Sequence, residues 1–197
     1  MTTFIVINIG KTFVQTTLFG KERLTRIVKT GILGMTSEPI SNNPPLFRDM
    51  PLSFCSYICE EYSQIYGSTW DGITFRTDSP IIYACPIDTF ELMRGGTWLP
   101  NYEKFLFESI EAMLQKYPSP LDFKRDFQKY FKSLKPQEVY PRMEKGRAKI
   151  CYGLDYSQKS SWLSQVDCNE ITLPKPLEIK NPRIFHSKEE LSKILAP

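Results

Sequence analysis

The pattern of apolar and polar positions changes character several times along the chain. Residues 3–9 (TFIVINI) and 12–19 (TFVQTTLF) are rich in β-branched and aromatic side chains, and Gly10-Lys11 between them predicts a hairpin. Leu24, Ile27, Val28 and Ile32 then fall at helical spacing, which predicts a helix over 21–33 ending near Gly34. Residues 36–51 hold four prolines together with Asn42 and Asn43, the composition of a long loop. Residues 51–66 read as a short apolar stretch running into a helix that carries Tyr57, Ile58, Tyr62, Ile65 and Tyr66, with Gly67 as its stop.

Strands are predicted at 73–75 and 81–84, a short helix at 87–93, and a flexible Gly95-Gly96 after it. Helices at 101–116 and 120–134 follow, broken by Pro118 and Pro120. Their apolar positions (Phe105, Leu106, Ile110, Met113 and Leu114, then Leu121, Phe123, Phe127 and Phe131) describe faces packed on something else. The last third returns to strands at 148–152, 170–173 and 183–185. Ser187-Lys188-Glu189-Glu190 has the form of a capping box and starts a final helix. Strands at both ends around a helical middle predict an α+β fold. We expect a single domain over 1–197, a mixed sheet of N- and C-terminal strands, and a helical insertion at about 100–135.

Composition narrows the class. A chain of 197 residues that is 41% apolar and 24% charged can bury a full core and is not expected to be disordered. Its 13 Phe, 10 Tyr and 3 Trp suit cores and pocket walls alike, the core being the plainer use. The net charge of +3 is too small to mark a nucleic-acid coat. Between Lys124 and Lys149 basic residues outnumber Asp126, Glu138 and Glu144, and a solvated face accounts for this more cheaply than a phosphate track. Five cysteines leave one unpaired in any disulfide scheme, which argues against a secreted framework. Cys55 and Cys59, beside Phe54 and Ile58, are expected as buried thiols on a helix. Residues 1–20 carry Asn8, Lys11, Gln15 and several threonines, unlike a signal peptide. No apolar run approaches the ~20 residues of a membrane span, so the cytoplasm is the expected location.

Chemistry is bounded first by a single histidine, His186, whose expected role is at the surface or in capping. The count excludes multi-histidine zinc sites, and a histidine so placed is not expected to serve a Ser-His-Asp or Cys-His system. Ile9-Gly10-Lys11-Thr12 lacks the first glycine and the following helix of a phosphate-binding loop. Two acidic patterns remain. Asp167 with Glu178-Ile179-Lys180 has the form of a PD-(D/E)xK nuclease, in which two acids hold Mg²⁺ and the lysine positions water. Pro174 and Pro176 interrupt its second strand. Glu170, at the start of a late strand, is a carboxylate that can contact a ribose hydroxyl and stabilise a cationic sugar while a glycosidic bond breaks. On residue type alone, a solvent-facing glutamate is the plainer reading.

Several segments bear on that choice. Arg48-Asp49-Met50-Pro51-Leu52-Ser53-Phe54, a helix ending Tyr66-Gly67, and Gly72-Ile73-Thr74-Phe75 form a block, with Asn169-Glu170-Ile171 as a late strand. The block resembles abortive-infection proteins of the AbiG kind and, more loosely, DarT-type DNA ADP-ribosyltransferase toxins. The resemblance spans about half the chain. It implies an ADP-ribosyltransferase-like fold with NAD as cosubstrate and Glu170 as the catalytic acid. Arg48 or Arg76 would meet the NAD phosphates, as guanidinium–phosphate pairing suits. Ser53 would orient the nicotinamide ribose, and Trp98, in Gly95-Gly96-Thr97-Trp98, would stack on a base. The expected target is a nucleic acid or protein in a toxin or phage-defence setting. The family's early His-x-Thr segment has no counterpart before His186. A non-catalytic interaction protein, binding a protein or nucleic-acid partner, is therefore the alternative, and the nuclease the third reading.

Overall fold

The computed structural model describes residues 4–7, 12–16, 20–33, 44–57, 62, 72–87, 89–94, 97–135 and 169–195. Over these residues the fold is α+β, with four helices and several small sheets. The strands are β1 (Phe4–Ile7), β2 (Thr12–Thr16), β3 (Ile32–Leu33), β4 (Leu52–Cys55), β5 (Gly72–Arg76), β6 (Tyr83–Cys85), β7 (Met93–Arg94), β8 (Thr97–Trp98), β9 (Glu170–Pro174), β10 (Leu177–Glu178) and β11 (Lys180–Phe185). The helices are α1 (Gly20–Thr30), α2 (Ile110–Lys116), α3 (Pro120–Ser133) and α4 (Lys188–Leu195).

A four-stranded sheet has the order β1-β2-β5-β11, with β1 and β11 at its two edges, while β4-β9-β6 forms a second sheet. Every pairing among the described strands is antiparallel, where a mixed sheet was expected. Gly72 starts β5 because the Phe185 ring of β11 lies where its Cβ would be, 2.0 Å from the ring's tip. Any larger residue there would force that ring to move.

Helix boundaries follow caps more than periodicity. α1 stops at Thr30 because Gly31 takes φ +67 and returns its N–H to the Ile27 carbonyl at 2.8 Å, three residues before the expected stop at Gly34. The expected helix over 101–116 is two elements. A 3-10 turn at Tyr102–Phe105 comes first, then Phe107 exchanges backbone hydrogen bonds with Ala84 at 2.7 and 2.8 Å, and α2 begins after Ser109. Ser109 caps it by accepting from the Ala112 N–H at 3.0 Å, and Ser119 caps α3 through Asp122. The expected helix over 87–93 is a 3-10 turn at Thr89–Leu92 followed by β7. Cys55 lies on a strand, not the expected helix, because Leu52–Cys55 pairs with β9 along its whole length. At the start of α4 the Glu190 N–H donates to the Ser187 hydroxyl and the Glu190 carboxylate accepts from the backbone N–H of His186, so the expected Ser187–Glu190 cap forms, while the exposed His186 contributes its backbone to it. The helix expected within 51–66 and the strand at 148–152 lie outside the described residues, apart from Tyr57 and Tyr62.

Two cores result. The first gathers Leu24 and Ile27 of α1, Ile73 and Phe75 of β5, Ala84 of β6, Ile110 and Met113 of α2, and Cys55, Ile171 and Leu173 of the β4-β9-β6 sheet. The second is built on rings: Tyr83, Tyr102, Phe105, Tyr117, Phe123, Phe127, Tyr130 and Phe131, with Leu52, Ile87, Leu92 and Leu99. Phe105 meets Phe123, Phe127 and Tyr130 edge-on at 5.1 to 5.6 Å between centroids, an arrangement that the ring quadrupoles favour.

Candidate functional site: a buried carboxylate on the ring side of a sheet

Register places Glu170. β9 is the central strand of β4-β9-β6, and Glu170, Thr172 and Pro174 alternate with Ile171 and Leu173 across its two faces. Residues paired across antiparallel strands share a face. Cys85 opposes Glu170, Tyr83 and Phe54 oppose Thr172, and Leu52 opposes Pro174. This face looks into the ring core, and the other, with Cys55, Ile171, Leu173 and Ala84, into the first core. Glu170 is nine-tenths buried. A carboxylate in that position is costly unless donors meet it.

One donor is Thr89. β6 ends at Cys85, the buried Pro86 and Ile87 turn the chain, and the 3-10 turn anchored by Leu92 brings the Thr89 hydroxyl onto Glu170 Oε1, which accepts its proton. The Tyr83 hydroxyl lies 3.5 Å from Thr89 Oγ1. A hydroxyl has one proton, so with Thr89 donating to Glu170, Tyr83 must donate to Thr89. Burial first, and the Glu170 charge second, hold the Tyr83 phenol well above its usual range. Burial and then Glu170 likewise push the Cys55 thiol up from across the sheet. Both groups therefore stay protonated at neutral pH. The Thr172 hydroxyl is fully buried without a hydrogen-bond partner among the described residues. The Tyr83 phenol lies close enough to Thr172 for that hydroxyl to ease its ionisation, against the dominant effect of burial, but the contact does not reach hydrogen-bond geometry.

The other anticipated residues divide into two groups. Arg48 follows the 3-10 turn Pro45–Phe47 and is exposed, with its charge favouring ionisation of the Tyr102 phenol against the dominant effect of burial. Trp98 is half-buried on β8 and tilts against the same Tyr102 ring at 4.8 Å. Phe47 stacks on Tyr83 at 5.1 Å, and the Leu46 N–H donates to the Tyr102 hydroxyl at 3.4 Å. Arg48 and Trp98 thus converge on Tyr102, a ring of the second core, whereas Glu170 is held on β9 beside Thr89 and Tyr83. Ser53 is buried opposite Leu173 on the other face of the sheet. Arg76 ends β5 in the four-stranded sheet, opposite Lys180 and Thr12.

For the nuclease pattern, Asp167 lies outside the described residues, while Glu178 and Lys180 are exposed and Lys180 pairs with Asp78. Among the described residues no three His, Cys, Asp or Glu side chains gather as a metal site, and no helix is long and apolar enough to cross a membrane. Sequence reasoning missed Thr89 and Tyr83. Alternation in Ile82-Tyr83-Ala84-Cys85 hints that Tyr83 and Cys85 share a face, but nothing local pairs Thr89 with a residue 81 positions away. No family model, curated protein or solved structure matches this chain, so the geometry around Glu170 is what bears on function.

Proposed function

We propose that the chain is an ADP-ribosyltransferase-like protein that takes NAD at the ring-lined face of β4-β9-β6 and transfers ADP-ribose to a nucleic acid or protein, in a toxin or phage-defence setting. One observation carries the reading: Glu170, the first residue of β9, is a buried carboxylate that accepts a hydrogen bond from the Thr89 hydroxyl. In such a reaction the nicotinamide–ribose C–N bond breaks, nicotinamide leaves with the bonding electron pair, and positive charge develops on the ribose ring. A preorganised carboxylate in a site screened from water stabilises that charge. The target nucleophile then bonds to the same ribose carbon and gives up its proton, which Glu170 can accept. Arg48 is the arginine suited to the phosphates, and Trp98 with Tyr102 offers a ring surface for a base. Ser53 and Arg76 have no part in this arrangement.

The second reading is a non-catalytic binding protein. It is favoured by the placement of Ser53 on the other face of the sheet and of Arg76 in the other sheet, and by the outer face of α3, where Arg125, Lys129 and Lys132 are all exposed. Labelled NAD, incubated with the protein and a mixture of DNA, RNA and cell lysate, separates the two. Transfer that disappears in Glu170→Ala supports the enzyme, and the label's destination names the target class. No transfer, with NAD leaving the melting temperature unchanged, overturns the enzyme and leaves the binding protein.

A further inference from the structure

We infer that Thr89 is the positioning residue of Glu170, and that Tyr83 orients Thr89 in turn, so that a one-way chain of hydroxyl donors fixes the carboxylate. The inference deepens the functional reading above and rests on it where activity is the readout. Its basis is geometric. The Glu170 carboxylate can accept but not donate, Thr89 meets its Oε1, and Tyr83 stands 3.5 Å behind Thr89. All three are buried, with Tyr83 at 2%, Thr89 at 4% and Glu170 at 9% exposure, so water competes weakly for these bonds. The relay also joins separate pieces of chain: β6 supplies Tyr83, the turn after it supplies Thr89, and β9 supplies Glu170.

A donor to the ionised carboxylate favours ionisation, so removing it raises the pH at which Glu170 gains its proton. The titratable groups facing Glu170 among the described residues are Tyr83 and Cys85 of β6, with Cys55 of β4 acting from the other side of the sheet. Tyr83 and Cys55 are held protonated by burial and by Glu170 itself, and do not change charge while Glu170 titrates.

The test measures label transfer against pH for wild type, Thr89→Val, Thr89→Ser and Tyr83→Phe. It also follows the Glu170 carboxyl carbon by NMR in protein labelled at glutamate Cδ, with that signal identified by its absence from Glu170→Gln. Thr89→Val should move the acidic limb and the NMR midpoint upward by about 1 pH unit, since a hydrogen bond to a charged group is worth roughly that much. Thr89→Ser should restore both, and Tyr83→Phe should shift them in the same direction by less. An unchanged midpoint in Thr89→Val overturns the relay, and if that variant does not fold, an unchanged midpoint in Tyr83→Phe does so. Transfer that survives Glu170→Gln overturns the catalytic reading instead, with the NMR midpoint still deciding the relay.

Discussion

The β4-β9-β6 sheet separates two interiors made of different side chains. Toward α1 and β5 it presents Cys55, Ile171, Leu173 and Ala84, small or aliphatic groups, with the Ser53 hydroxyl beside Leu173. Toward α3 it presents Glu170, Thr172, Tyr83 and Cys85 beneath a layer of Phe and Tyr rings. Aliphatic packing gives a buried carboxylate no partner, whereas tyrosines bring bulk and a hydroxyl together. A polar site can therefore be buried on the ring side at a cost the aliphatic side would not recover. Strand alternation puts both environments on one strand, one residue apart.

Breaking the aliphatic side has the largest expected effect. Leu173 is fully buried there, and Leu173→Ala should cost about 2–5 kcal/mol of stability in urea denaturation while sparing the Glu170 face. A loss below ~1 kcal/mol would mean that this face is not a packed core.

Alkaline pH probes the ring side. Burial first, then Asp126, pushes the Tyr117 phenol up to about 12 from an ordinary 10.0, and Tyr83 is raised as well. The folded chain thus holds these protons at a pH where the unfolded chain has released them. Below pH 10 both states are protonated and stability is unaffected. From about pH 10 to 12 the unfolded state is favoured, so the urea midpoint should fall across that window. A flat midpoint would show that the two phenols are not buried as neutral groups.

Thr172→Val has the smallest expected effect and sharpens the comparison most. Valine keeps the shape and removes an unpaired buried hydroxyl, so stability should stay level or rise by up to about 1 kcal/mol. A clear loss would place Thr172 in the hydroxyl network with Tyr83.

Legibility in the sequence followed the range of the interactions. The β1–β2 hairpin, α1, α3 and the Ser187 cap rest on neighbours a few residues apart, and their positions were readable from turn residues, periodicity and capping side chains. The 101–116 segment was misread because Phe107 bonds to Ala84, a contact that no periodicity in Tyr102–Lys116 announces. Glu170 was singled out from its place on a late strand, but its partners were invisible because β6, β9 and the Thr89 turn meet only through tertiary pairing. Ser53 lies on β4, which pairs with β9, but on the face opposite Glu170, since a single residue of register inverts every side chain.

The measurement that bears most directly on the account is an NMR titration of the protein with NAD, following resonances on both faces of the sheet. NAD bound at the ring side should shift Glu170, Thr172, Tyr83, Tyr102 and Trp98 and leave Ile171, Leu173 and the α1 residues Leu24 and Ile27 unmoved. Shifts confined to the aliphatic side, or none at millimolar NAD, would contradict it.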